Sequence, residues 1–177
     1  MTSSLLARVV QVLQERQIPF ALIGAAAMAA HGVSRSTFDT DLFSVGAPAL
    51  DDGMWRGLAA DGVDVDVRHG DEDDPLLGVV RCVHGEQAID LVVGRSAWQR
   101  EVIARAAPTH VFSLDLPIVL VEDLILLKLY AGGIQDRWDI QQLLMSASAP
   151  VAVTDIDARV TSLPERCQEL WRQLRPT

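Results

Sequence analysis

The 177-residue chain carries a formal net charge of −9 and is 49% hydrophobic, yet it has no apolar run approaching the ~18 residues a membrane helix needs. This argues against a membrane-spanning protein and for a globular one, and no membrane partner is expected. The acidic surplus opposes non-specific attraction to nucleic acid, whose phosphates are held chiefly by clustered Lys and Arg, while leaving a specific RNA or nucleotide ligand open. The length suits one compact unit with a sizeable core. Residues 1–5 show neither a charged leader nor a long apolar segment, so no secretion signal is expected and the cytoplasm is the expected location. Cys82 and Cys167 lack metal-ligand spacing and should both stay reduced. None of His31, His69, His84 and His110 forms an i,i+4 pair, so a zinc site would have to be assembled by the fold. Every basic residue is Arg except Lys128; either coding bias left it, or that position needs a compact ammonium.

In chain order, Ser3 and Ser4 can cap a first helix, in which Leu5, Val9, Val12 and Leu13 recur at helical spacing until Pro19. Residues 20–23 (FALI) form a short apolar run ending at Gly24, which fits a buried strand. The small residues 25–30 favour a helix, stopped by His31-Gly32. A helix that starts directly after a buried strand aims its free N–H groups above the strand's end, which suits a phosphate. Asp39 and Asp41 follow in a strand-favouring segment. On a strand, i and i+2 share a face with Cα atoms ~6.5 Å apart, so both carboxylates can reach a common metal. Together the two pieces make a candidate Mg²⁺–triphosphate site; the alternative is ordinary helix packing beside a chance Asp-x-Asp.

Gly46-Ala47-Pro48 reads as a turn, and Leu50, Met54, Trp55 and Leu58 as an amphipathic helix closing near Asp61-Gly62. Residues 63–67 alternate with period two, placing Asp64 and Asp66 on a solvated strand face. They repeat the Asp-x-Asp spacing without a glycine-led helix before it. Residues 69–75 form an acidic connection. Residues 77–83 and 86–93 read as a hairpin about His84-Gly85. Its second strand carries Asp90 amid apolar residues, and a buried carboxylate needs a cation: a metal, or Arg68 or Arg81 on a neighbouring strand.

Ser96 can cap a helix reaching Ala106, and residues 109–112 are a last strand candidate. A helix over residues 121–131 ends at Gly132-Gly133 and carries Lys128 among leucines, where it must snorkel or meet an anion. The next helix opens with Asp136 and Asp139 on one face, a placement the helix dipole alone would favour. Residues 153–174 read as helices broken at Pro164.

The strand ending at Gly24-Ala25, then His31-Gly32-Val33-Ser34-Arg35-Ser36-Thr37 and Asp39-Thr40-Asp41-Leu42, resembles the signature of the nucleotidyltransferase superfamily. The likeness is nearest to its small AbiEii-like (abortive-infection toxin-like) members, whose C-terminal motif is similar to Lys-Leu-x-Ala and Gln-Asp-x-x-Asp-Ile here. Ala25 stands where that family usually has Gly or Ser, which removes a hydroxyl from the phosphate side and leaves the backbone N–H. The resemblance spans roughly residues 15–145. It implies an α/β (α+β) fold with a mixed twisted sheet flanked by helices, a core over residues 1–115, and a helical region over 116–177 packed across the site. It also implies an enzyme that moves an NMP from an NTP to a hydroxyl of RNA, protein or a small molecule, with Mg²⁺ as cofactor. Asp39, Asp41 and Asp90 are then the metal ligands and, with Lys128 and Asp136, the catalytic set. Gly24, Ala25, Arg35, Ser36 and Lys128 meet the nucleotide. A toxin-like role with an antitoxin partner, a non-catalytic binding protein of the same fold, and an antibiotic-modifying enzyme are the alternatives.

Overall fold

Leu5, Leu6, Val9, Val10 and Leu13 fall on one side of a helical repeat, and the first helix, α1 (Leu5–Glu15), buries all five. Ser4 caps it, its Oγ accepting the Ala7 N–H at 3.2 Å. The computed structural model describes residues 4–34, 39–145 and 150–176. After α1 come β1 (Phe20–Leu22), α2 (Gly24–Ala30), β2 (Asp39–Val45), a 3₁₀ turn (Ala47–Leu50) and α3 (Asp52–Ala60). The strands β3 (Asp64–His69), β4 (Leu76–His84) and β5 (Gln87–Gly94) follow, then α4 (Ala97–Ala104), β6 (Ala107–Val111) and β7 (Leu114–Ile118). The remaining helices are α5 (Val121–Ala131), α6 (Ile134–Met145), α7 (Val153–Val160) and α8 (Glu165–Leu174).

The strands form one seven-stranded mixed sheet in the order β3-β4-β5-β2-β1-β7-β6. β1 runs antiparallel to β2, and β2 parallel to β5, so the glycine-led turn after β1 and the aspartates of β2 lie side by side. Alternation along β5 sends Ile89, Leu91 and Val93 into the core, together with their β4 partners Cys82, Val80 and Gly78. The opposite face carries Asp90 and Val92.

β7 was not anticipated from the sequence. Pro108 of β6 faces Pro117 of β7, and neither can donate to the ladder, so this part of the sheet lacks the usual strand signal. β7 runs through position 115 and hands the chain to α5.

The C-terminal helices gather around α5, which packs on α6, α7 and α8 and also on α2. Asp123 of α5, fully buried, accepts from Arg105 Nε at 3.1 Å and Nη2 at 2.6 Å and also from Arg159. Two guanidiniums thus neutralise one buried carboxylate and tie the end of α4, α5 and α7 together. No helix among the described residues is long and apolar enough to cross a membrane.

Candidate active site

Gly24 is the first helical residue of α2 and has φ +63°, the left-handed region that glycine enters without steric cost. It abuts Asp41, which stands two residues beyond Asp39 on the same face of β2. The backbone closes the arrangement, Ile23 N–H donating to the Asp41 carbonyl at 3.0 Å. Ala25 is buried, while Ile23 and Gly24 line the open space above the strand ends. His31 Nε2 lies 2.8 Å from the Val119 carbonyl, fastening the end of α2 to the β7–α5 junction. Arg35 and Ser36 lie outside the described residues.

Asp90 pairs with Asp41 in the β2–β5 register and with Arg81 in the β4–β5 register; Arg81 in turn faces Asp66 on β3. Read across the sheet, one level therefore carries Asp66, Arg81, Asp90 and Asp41 on one face. The next level carries Arg68, Val79, Val92 and Phe43. Asp90 takes the arginine option: Arg81 Nη1 meets its Oδ2 at 2.5 Å, while Arg81 Nη2 reaches Asp39 Oδ2 at 3.4 Å. Arg68 pairs instead with Asp66, Nε to Oδ2 at 2.6 Å. The hydrogen bond to Asp90, then its charge, hold the Arg81 guanidinium above its usual range. Burial, and secondarily the Asp90 charge, push the neighbouring Cys82 thiol up to about 12.

Arg81 was read from the sequence only as an alternative partner and not as a site residue. Hairpin geometry finds it only with the turn at residues 85–86, where the ladder closes on His84 and Gln87, since residues equidistant from the turn face each other. Among the described residues, no three His, Cys, Asp or Glu side chains already stand arranged to hold a metal ion. The donor chemistry nevertheless suits a hard divalent cation, because carboxylate oxygens are its preferred ligands. A guanidinium already sits where the Asp39 and Asp90 carboxylates converge.

Two spaces meet at Asp41. One, about 340 Å³, lies between Gly24 and the α5–α6 corner and is lined also by Lys128, Gln135 and Asp136. The other, about 560 Å³, lies over β3–β5 with Arg68, His69, Arg81 and Asp90 in its wall. Lys128 is buried and meets anions: Asp139 Oδ2 at 2.5 Å and Asp136 Oδ1 at 3.3 Å. Gln135 Nε2 donates to Asp139 Oδ1 at 3.1 Å, and the Gly133 N–H to Asp136 Oδ2 at 3.1 Å. The sequence had pointed to Asp136 before Asp139; the structure brings both to the lysine and makes Asp139 the nearer. Asp64 and Asp66 are solvent-exposed, as the period-two alternation of residues 63–67 predicts.

A family model described as "Nucleotidyl transferase of unknown function (DUF2204)" matches residues 2–175. Among curated proteins, none matches the chain. Solved structures share the fold. A Thermotoga maritima protein provisionally described as a nucleotidyltransferase aligns at TM-score 0.54 and 13% identity, over 79% of this chain and 90% of that one. An antigenic nucleotidyltransferase-like protein from Paracoccidioides brasiliensis aligns at TM-score 0.50 and 17% identity, over 93% and 90%. The enzyme ANT(2″)-Ia, solved with adenylyl-2″-tobramycin, gives 0.48 at 18% identity, over 97% and 95%.

Proposed function

The chain belongs to this nucleotidyltransferase family, and on that premise we propose that it transfers an NMP from an Mg²⁺-bound NTP to an acceptor hydroxyl. The observation that carries the proposal is the meeting at Asp41 of two spaces, one walled by Gly24 and Lys128 and the other by Arg81 and Asp90. A donor nucleotide and an acceptor need separate approaches to one phosphorus atom, and Asp41 borders both.

Asp39, Asp41 and Asp90 would hold the ion, since they are hard oxygen donors on adjoining strands. Bound Mg²⁺ supplies positive charge against the negative charge developing at the α-phosphorus and on the departing pyrophosphate. Asp90 Oδ1 or Oδ2 takes the proton of the acceptor hydroxyl. The backbone at Gly24 and Ala25 faces the outer phosphates, and Lys128 neutralises one of them while Asp136 and Asp139 hold its ammonium in place. Arg35 and Ser36 add contacts to the nucleotide in the same reading. The helices from α5 onward, which follow β7, act as a cover for the sheet core.

Asp41→Asn tests the metal assignment: Mg²⁺-dependent transfer should vanish while the far-ultraviolet spectrum and unfolding midpoint stay the same. Unchanged turnover would refute it. Incubation with each α-labelled NTP plus total RNA, total protein and a panel of antibiotic-like alcohols identifies the acceptor and separates an AbiEii-like, toxin-type role from drug modification.

A second reading is supported by Arg81, which already neutralises Asp39 and Asp90, and by Ala25: a silent fold that binds a partner, such as an antitoxin, without transferring anything. Calorimetry with NTPs separates the two, because a silent fold shows no Mg²⁺-dependent nucleotide binding.

A further inference from the structure

The charged row across the sheet offers Arg81 a third carboxylate beside Asp90 and Asp39. Asp66 stands directly opposite it on β3, within cross-strand reach, but is engaged by Arg68. Building on the transfer site above, we propose that a divalent cation at Asp39, Asp41 and Asp90 shifts the pairing by one strand. Arg81 leaves Asp90 and Asp39 for Asp66, and Arg68 is released into the cleft as the receptor for an anionic group on the acceptor.

Three observations carry this. Arg81 occupies the Oδ2 atoms of both Asp39 and Asp90, so a cation that takes those oxygens also repels the guanidinium. The Arg68–Asp66 pair is exposed, its side chains 73% and 49% accessible, and exposed pairs of this kind contribute little stability, so Asp66 exchanges partners at small cost. Finally, the cleft's other carboxylates are committed. Asp41 and Asp90 go to the cation, and Asp74 Oδ1 accepts the Leu76 N–H at 3.1 Å. The cations in that wall are Arg81 and, beside His69, Arg68, and Arg68 is the one that the exchange leaves without a carboxylate. A guanidinium left in that position matches the paired oxygens of a phosphate or carboxylate.

Mn²⁺ binding to the full chain, followed by electron paramagnetic resonance, tests the first half. Arg81→Met should bind Mn²⁺ about tenfold more tightly than the unaltered chain, the worth of one charge-assisted hydrogen bond, and Arg81→Lys should fall between them. Inorganic phosphate binding, followed by calorimetry, tests the second half. In the unaltered chain it should require Mg²⁺; in Asp66→Asn, where Arg68 is already free, it should occur without Mg²⁺; in Arg68→Met it should be lost in both conditions. Equal Mn²⁺ affinity with and without Arg81, or phosphate binding that survives Arg68→Met, overturns the exchange and leaves the transfer site standing. No Mn²⁺ binding at all in the unaltered chain overturns both.

Discussion

Gly24 lies so close to Asp41 that a Cβ built on it would stand 2.0 Å from the carboxylate Oδ2. The glycine is therefore required twice, once by its positive φ and once by the acid it makes room for. Gly24→Ala must either turn the backbone or displace the Asp41 side chain. Unfolding free energy should fall by about 1–3 kcal/mol, the usual cost of a strained backbone position, and nucleotide transfer should fall as far as it does in Asp41→Asn. Urea titration and a labelled-NTP assay on the same preparation check both. Full stability with full transfer would show that Asp41 does not need this neighbour.

Lys128 is held by two aspartates of unequal depth. Asp139 has a fully buried side chain, whereas that of Asp136 is 24% exposed and its contact is longer. Removing one member of a buried pair strands the other charge, so Asp139→Ala should cost about 3–5 kcal/mol. Asp136→Ala, whose partner keeps Asp139, should cost ~1 kcal/mol. The double variant Lys128→Met with Asp139→Leu should recover most of the stability lost in Asp139→Ala and none of the transfer. Recovery of both would make the cluster purely a packing device.

The strand, glycine and helix around position 24 were legible because their signals are local: an apolar run, a breaker, then small helix formers. The same holds for α5, whose end at Gly132 adopts the left-handed cap with φ +70° that the Gly-Gly pair suggested. What depended on register was less visible. With the turn at His84-Gly85, Asp90 would face Val79; the ladder closes instead on His84 and Gln87, which brings Arg81 opposite Asp90. One residue in the turn thus decides whether a carboxylate meets a methyl or a guanidinium. The order of Asp136 and Asp139 at Lys128 was hidden for a related reason, since both lie on the helix face toward the lysine and only depth ranks them. β7 was hidden by Pro117, which argues against a strand in any local reading.

Cys82 and Cys167 are free and buried, and burial raises both thiols, Cys82 to about 12. The thiolate is the reactive form, so burial disfavours it at both positions, most strongly at Cys82, and access is blocked as well. Iodoacetamide should label neither cysteine in the native protein and both in urea, as counted by intact-mass spectrometry. Labelling of Cys82 in the native state faster than global unfolding would mean that β4 opens locally.

Asp157 binds the last helix to α7. Its Oδ1 accepts from Trp171 Nε1 and Arg175 Nε, both at 2.8 Å, and its Oδ2 from Arg175 Nη2 at 2.7 Å. The Arg175 hydrogen bonds, then that from Trp171, hold the carboxyl down at about 2 against an ordinary value of 3.8. A carboxyl that is more acidic when folded stabilises the fold at pH above its unfolded value and loses that contribution as the pH falls through the folded one. The unaltered chain should thus lose stability between about pH 4 and pH 2 through this group. Asp157→Asn, which cannot ionise, should start lower at pH 6 and approach the unaltered chain as the pH drops through that window. Urea titrations at half-unit steps read the difference directly. A gap between the two chains that is as wide at pH 2 as at pH 6 would show that the anchor of α8 owes nothing to the charge on Asp157.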